Sequence, residues 1–142
     1  MTPTSLTMTR IIRAPRERVF AAWTTPEMLL KWWGPGHVTC PEAEVDLRPG
    51  GEYRIANKEQ DGSITWIFGT FAEVTPPRKL IYDWNVSILD INPTQVIVEF
   101  NAHAEGTELV ITHSRFPEPD IRDMHLQGWG GCLDKLDQLL AG

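Results

Sequence analysis

Apolar and polar residues alternate with a period of two along most of this chain, and the period lengthens in two places. In residues 6–13, Leu6, Met8, Arg10 and Ile12 fall on one side and Thr7, Thr9, Ile11 and Arg13 on the other, the pattern of a half-buried strand. Two short helices are predicted next. Pro15 suits the first position of one, with Val19, Phe20 and Trp23 inward. Thr25-Pro26-Glu27, a side-chain cap followed by proline and an acidic first turn, opens a second that holds Met28, Leu29, Trp32 and Trp33 and ends at Gly34. Strand patterns then occupy residues 38–47, 52–57, 64–74, 80–86, 95–103 and 108–114. Arg48-Pro49-Gly50-Gly51, Asp61-Gly62, Thr75-Pro76-Pro77 and Glu105-Gly106 supply the turns between several of them. Beyond Pro117 and Pro119 the spacing shifts to three and four. Ile121, His125, Trp129, Cys132, Leu133, Leu136, Leu139 and Leu140 form one wide stripe, which predicts a helix over residues 120–140 with Asp120 capping its first turn.

These elements predict an α+β architecture. Seven strands joined by short connections make an antiparallel sheet, and the terminal helix is the only long amphipathic element available to cover one of its faces. The sheet is expected to curl around that helix, with the two short helices after strand one plugging one end and leaving a mouth at the other. Gly128, Gly130 and Gly131 interrupt the helix at a cost of about 1 kcal/mol each against alanine, so close packing or space for a ligand must offset them.

Length and charge narrow the partners. A chain of 142 residues is expected to form one domain over residues 1–142, with no linker or internal repeat. With 19 acidic and 13 basic residues, net charge −6 and no long basic cluster, nucleic acid and anionic membranes are disfavoured. No signal-peptide pattern or membrane-spanning stretch is present, so a cytoplasmic protein is expected. Cys40 and Cys132 are too few for a disulfide framework and read as core thiols.

The chemistry-bearing motifs are sparse. Phosphate-binding loops, the nucleophile elbow and dinucleotide fingerprints are absent, so no cofactor and no catalytic residue is implied. His37 and Cys40 share a strand without a second ligand pair, which speaks against a metal site. Glu42, Glu44 and Asp46 alternate as a solvated strand edge. His125 lies within the buried stripe of the helix, where an imidazole needs a polar partner across the core or a ligand to contact. Arg10, on an apolar strand face, needs either an ion pair with Glu44 or Asp46 or a ligand carboxylate. Trp66 and Phe68 share a face of one strand, Tyr82 and Trp84 of another, and Phe100 of a third. With Trp33, Gly128 and Trp129 they complete a candidate pocket wall, since Trp and Tyr carry polar atoms that pure core residues lack.

Five stretches carry a resemblance: RIIRAPRERVF at residues 10–20, AAWTTPEMLLKWWGPG at 21–36, EVDLRPGGEYR at 44–54, GTFAEVTPPRKLIYDW at 69–84 and GWGGCLDKLDQLL at 128–140. Together they resemble the bacterial activator-of-heat-shock-protein-90-ATPase homologue family, within the START-like helix-grip (SRPBCC) superfamily, over nearly the whole chain. The resemblance implies a seven-stranded sheet gripping a C-terminal helix, with a cavity between them. The eukaryotic namesake carries a separate N-terminal chaperone-binding domain for which this chain has no room, so chaperone binding is disfavoured. The leading expectation is a binding protein, with a homodimer as one option, for a small apolar, aromatic or lipid-like molecule. The alternatives are an enzyme resembling the polyketide cyclases and aromatases of the superfamily, with His125 or Tyr82 moving protons, and a chaperone-interaction module.

Overall fold

The computed structural model describes residues 4–141. Its elements follow the order β1 (Thr4–Ile12), α1 (Arg16–Thr24), α2 (Pro26–Trp32), β2 (Ala43–Val45), β3 (Glu52–Lys58), β4 (Ile64–Thr75), β5 (Lys79–Val86), β6 (Thr94–His103), β7 (Gly106–Phe116) and α3 (Pro119–Ala141). The strands form one antiparallel sheet in the order β1-β7-β6-β5-β4-β3-β2. Strands two to seven are a meander, and β1 returns to pair with β7. Helix α3 packs over β1 and β7 and against α2, giving the helix-grip fold.

Alternation decides which side chains enter the core. Val96, Val98 and Phe100 of β6, and Leu109, Ile111 and His113 of β7, point to the helix and are fully buried. Val19, Phe20 and Trp23 of α1 meet them from above, with Phe20 and Trp23 packed edge-on to Phe100 at 5.2 and 6.0 Å between ring centroids. Helix α1 begins after Pro15, whose carbonyl accepts from the amides of Arg18 and Val19. At the far end of α3 the Arg18 guanidinium donates to the Leu140 carbonyl at 3.2 Å, a cation at the negative helix end.

Several local expectations are corrected. Residues 38–47 do not form one strand: Pro41 has no amide to give a ladder, so only Ala43–Val45 pairs with β3, preceded by a lone bridge between Thr39 and Lys58. The Thr25 side chain makes no capping bond, and Pro26 opens α2 without one. Helix α3 starts at Pro119, which places Asp120 inside its first turn rather than at the cap. Arg10 does not reach Glu44 or Asp46, which lie across the sheet on the opposite edge. Its guanidinium bonds Asp134 of α3 at 2.6 Å, tying β1 to the helix laid over it. Glu42 and Glu44 instead pair with Arg54 at 3.2 and 3.5 Å on the exposed side of β3, the solvated edge that the sequence implied.

The loop after α2 is anchored to α3. Gly34 adopts φ +104°, a conformation that favours glycine, and turns the chain so that Pro35 lies against Gly131. A β-carbon on Gly131 would stand 2.8 Å from Pro35 Cβ, so close approach accounts for this glycine. Lys135 adds a hydrogen bond of 2.8 Å to the Val38 carbonyl.

Candidate functional site

A cavity of about 140 Å³ lies between the first half of α3 and the inner faces of β3, β4 and β5. The helix offers Met124, His125, Gly128, Trp129 and Cys132, whose spacing puts them on one face. Trp33 and Pro35 close one side. Asn57, Thr65, Ile67, Trp84 and Val86 line it from the strands. Ile88 and Leu89, just beyond β5, form the rim together with Met124, and Ile88 is 73 % exposed there. No Asp, Glu, Lys or Arg lines the space among the described residues.

Two neutral histidines fix the indoles that form the walls. The Trp129 indole N–H donates to Nδ1 of His113 at 3.1 Å, so the His113 proton sits on Nε2 and is donated to the Thr94 hydroxyl at 2.7 Å. That hydroxyl donates in turn to the Trp84 carbonyl at 3.2 Å. The Trp84 indole N–H donates to Nε2 of His125 at 3.2 Å, which leaves His125 Nδ1–H to donate to the Ile121 carbonyl at 2.8 Å. Both rings are therefore saturated in their neutral forms. Burial, reinforced by the neighbouring His125, pushes the His113 pKa down to about 2. Burial also lowers that of His125, against an opposing pull from the Ile121 carbonyl.

Trp33, Trp84, His125, Gly128 and Trp129, expected from the sequence, are brought together on this cavity. The other expected contacts lie elsewhere. Trp66 and Phe68 face outward, because Thr65 and Ile67 take the inward positions of β4; the Arg54 guanidinium covers Trp66 at 4.2 Å from its ring centroid. Phe100 is solid core beneath α1. Tyr82 lines a separate void of about 20 Å³, room for one water, that Trp33 and Trp84 divide from the larger cavity. Its hydroxyl accepts from the Trp23 indole at 3.3 Å, and burial raises its pKa. Arg10 is spent on Asp134.

Sequence reasoning missed Asn57 and Thr65. They sit directly opposite each other on β3 and β4, giving an apolar cavity one polar corner. The signal was available: Asn57 continues the inward alternation of Tyr53 and Ile55. His113 was passed over because one histidine in the strand pattern of residues 108–114 carries no periodic signature. Cys132 also lines the cavity, but burial lifts its thiol to about 12, leaving it protonated and unreactive. His37 is exposed and Cys40 buried, and no cluster of three or more metal-ligating side chains occurs among the described residues.

The sequence profile of the activator of Hsp90 ATPase homolog 1-like proteins matches residues 13–141. The chain belongs to that family. A protein from Nitrosomonas europaea is 28 % identical, with a TM-score of 0.83 over 96 % of this chain and 94 % of its own. One from Chromobacterium violaceum is 25 % identical, with a TM-score of 0.89 over 99 % of both chains. An AHSA1 protein from Silicibacter pomeroyi, 23 % identical, shares the fold at a TM-score of 0.87 over 97 % of this chain and 98 % of its own. No curated protein matches the sequence. Among the described residues of this AHSA1-like chain, no helix is long and apolar enough to cross a membrane.

Proposed function

We propose that this AHSA1-like protein is a cytoplasmic, single-domain binding protein that holds a small apolar molecule between its sheet and α3. The observation that carries the reading is the cavity itself: about 140 Å³ of uncharged space whose Trp84 and Trp129 walls are held in place by hydrogen bonds to neutral histidines. A pre-formed apolar recess with few polar groups is the usual form of a small-molecule site. The enzyme reading gains no support from the geometry. His125 has both ring nitrogens committed, Tyr82 lies outside the cavity with its hydroxyl proton held more tightly than usual, and the Cys132 thiol stays protonated. The acidic net charge of −6 favours neither nucleic acid nor an anionic membrane as partner.

The test is native mass spectrometry of the purified protein for a co-purifying small molecule, followed by thermal melts with a panel of neutral aromatic compounds. A true occupant at a hundredfold excess over its Kd adds about 2.7 kcal/mol by mass action. That corresponds to a rise on the order of 5–10 °C in Tm for a chain of this size. A panel that leaves the melting temperature and the tryptophan emission unchanged sinks the reading.

A further inference from the structure

The wall of the cavity offers donors in excess of acceptors. Asn57 Oδ1 is sealed without a hydrogen-bond partner, the one side-chain atom in that condition among the described residues. Asn57 Nδ2 and the Thr65 hydroxyl also bond no described residue, and since neither is sealed, both are open to the cavity they line. The opposite orientation of the carboxamide would seal two N–H groups in place of one oxygen, so the amide end is the one that faces the space. Asn57 and Thr65 are directly paired across β3 and β4, which sets their β-carbons about 4.5–5.5 Å apart. Both can therefore reach one guest atom. The indoles of Trp84 and Trp129 and both nitrogens of His125 are already bonded, while Trp33 adds an N–H with no partner among the described residues. Asn57 Nδ2 and the Trp33 indole only donate, and a hydroxyl donates or accepts. Three open groups can thus give a proton to a guest, and one can take one. Size and charge restrict the guest further. An apolar cavity of about 150 Å³ holds one benzene ring, whereas fatty acids and polycyclic molecules exceed this space. With no charged side chain lining the cavity, an ionised guest would be buried without a counter-ion.

We infer that the cavity takes a neutral, single-ring molecule bearing one hydrogen-bond acceptor, an aldehyde or ketone in chemical class. Its ring lies among Trp33, Trp84 and Trp129, and its carbonyl oxygen, with two lone pairs, accepts from Asn57 Nδ2 and the Thr65 hydroxyl. The inference rests on the small-molecule reading above and adds the acceptor. Replacement of the carbonyl by a carboxylate abolishes the fit.

Titration calorimetry of the full chain with benzaldehyde, styrene and benzoate separates the two ideas. Styrene matches benzaldehyde in shape, with a methylene in place of the oxygen, and has no acceptor. Both neutral probes are expected to bind the wild type, and benzoate to bind at least a hundredfold more weakly than benzaldehyde. Benzoate binding as tightly as benzaldehyde overturns the neutral assignment. In Asn57→Leu and in Thr65→Val, which replace each polar group by an apolar one of similar shape, the affinity for benzaldehyde relative to styrene should fall about fivefold. A ratio unchanged in both variants overturns the acceptor assignment and leaves apolar binding intact, the polar corner then being satisfied by water. Failure of both neutral probes to bind the wild type overturns the binding reading as well. A second measurement needs no variant. The side-chain amide protons of Asn57 should move downfield with benzaldehyde, beyond any ring-current shift that styrene produces. Equal shifts with the two probes overturn the proposal.

Discussion

The two halves of α3 follow the same stripe and do different things. From Trp129 to Leu140 the inward residues Trp129, Cys132, Leu133, Leu136 and Leu140 are all buried; Trp129 and Cys132 edge the cavity, and the space beneath Leu133, Leu136 and Leu140 is filled. From Ile121 to Gly128 no residue is buried, and His125 and Gly128 stand over open volume. The helical period is unbroken between them. What changes is the volume supplied from both sides: a glycine and a partly buried histidine on the helix meet Asn57, Thr65 and Val86 on the strands. In the filled half, the helix leucines share a core with Ile12, Leu109 and Ile111. Periodicity thus fixes which way a helix faces, and side-chain volume at the facing positions decides whether it covers a core or a hole.

The largest test of that contrast is truncation in each half. Leu136→Ala should cost about 2–5 kcal/mol in urea unfolding, because a fully buried leucine leaves a cavity that its neighbours cannot fill. Met124→Ala, at a residue 52 % exposed on the rim, should change stability by less than about 1 kcal/mol. Equal losses at the two positions would erase the distinction.

Acidification comes next, through the histidine that holds Trp129. The folded pKa of His113, about 2, lies below its unfolded value, so the unfolded chain takes up the proton first. Its contribution is complete above pH ~6.5 and is lost progressively as the pH falls toward 2, amounting to about 2 kcal/mol between pH 7.5 and 5. His125, also lowered, acts in the same direction. Unfolding free energies measured at the two pH values check this, and a stability that is flat or rises on acidification contradicts the neutral pairing.

Two glycines give smaller effects of opposite sign. Gly131→Ala gains helix propensity of up to about 1 kcal/mol but drives a methyl into Pro35, and overpacking of that kind costs about 1–3 kcal/mol. A lower Tm is expected. At Gly128 the nearest atom to an added β-carbon is Pro35 Cγ at 4.0 Å, so Gly128→Ala should raise stability by up to about 1 kcal/mol. The same methyl enters the cavity and should weaken binding of aromatic probes. A drop in Tm at Gly128 would show that the two halves are packed alike.

How far the sequence could be read follows from the range over which each signal acts. The strands from β3 to β7, the two short helices and the terminal helix are readable, because alternation, proline and glycine act over a few residues, whereas Pro41 shortens β2 and neither Thr25 nor Asp120 acts as the expected cap. The facing of β4 is not readable. Trp66 and Phe68 alternate with Thr65 and Ile67, both sets offer apolar bulk, and only pairing with Arg54 on the exposed side of β3 turns the larger set outward. Arg10 was legible as a cation in need of a partner, but Asp134 is 124 residues away and reaches it only once the helix lies over β1. Asn57 could be placed on the inward face, whereas its lack of a partner is a property of the assembled interior.

The aromatic residues form a ladder with an optical consequence. Trp23 stacks on Trp129 at 5.8 Å between centroids and tilts against Trp32 at 5.1 Å, while Trp33 and Trp84 lie 5.7 and 5.2 Å from Trp129. At such separations excitation migrates among indoles faster than it is emitted, and their transition dipoles couple. These five should therefore behave as one chromophore, with an exciton couplet in the circular dichroism, and a guest that quenches one of them should darken all five together. Trp66, outside the ladder and beneath a guanidinium, is left as the one independent emitter.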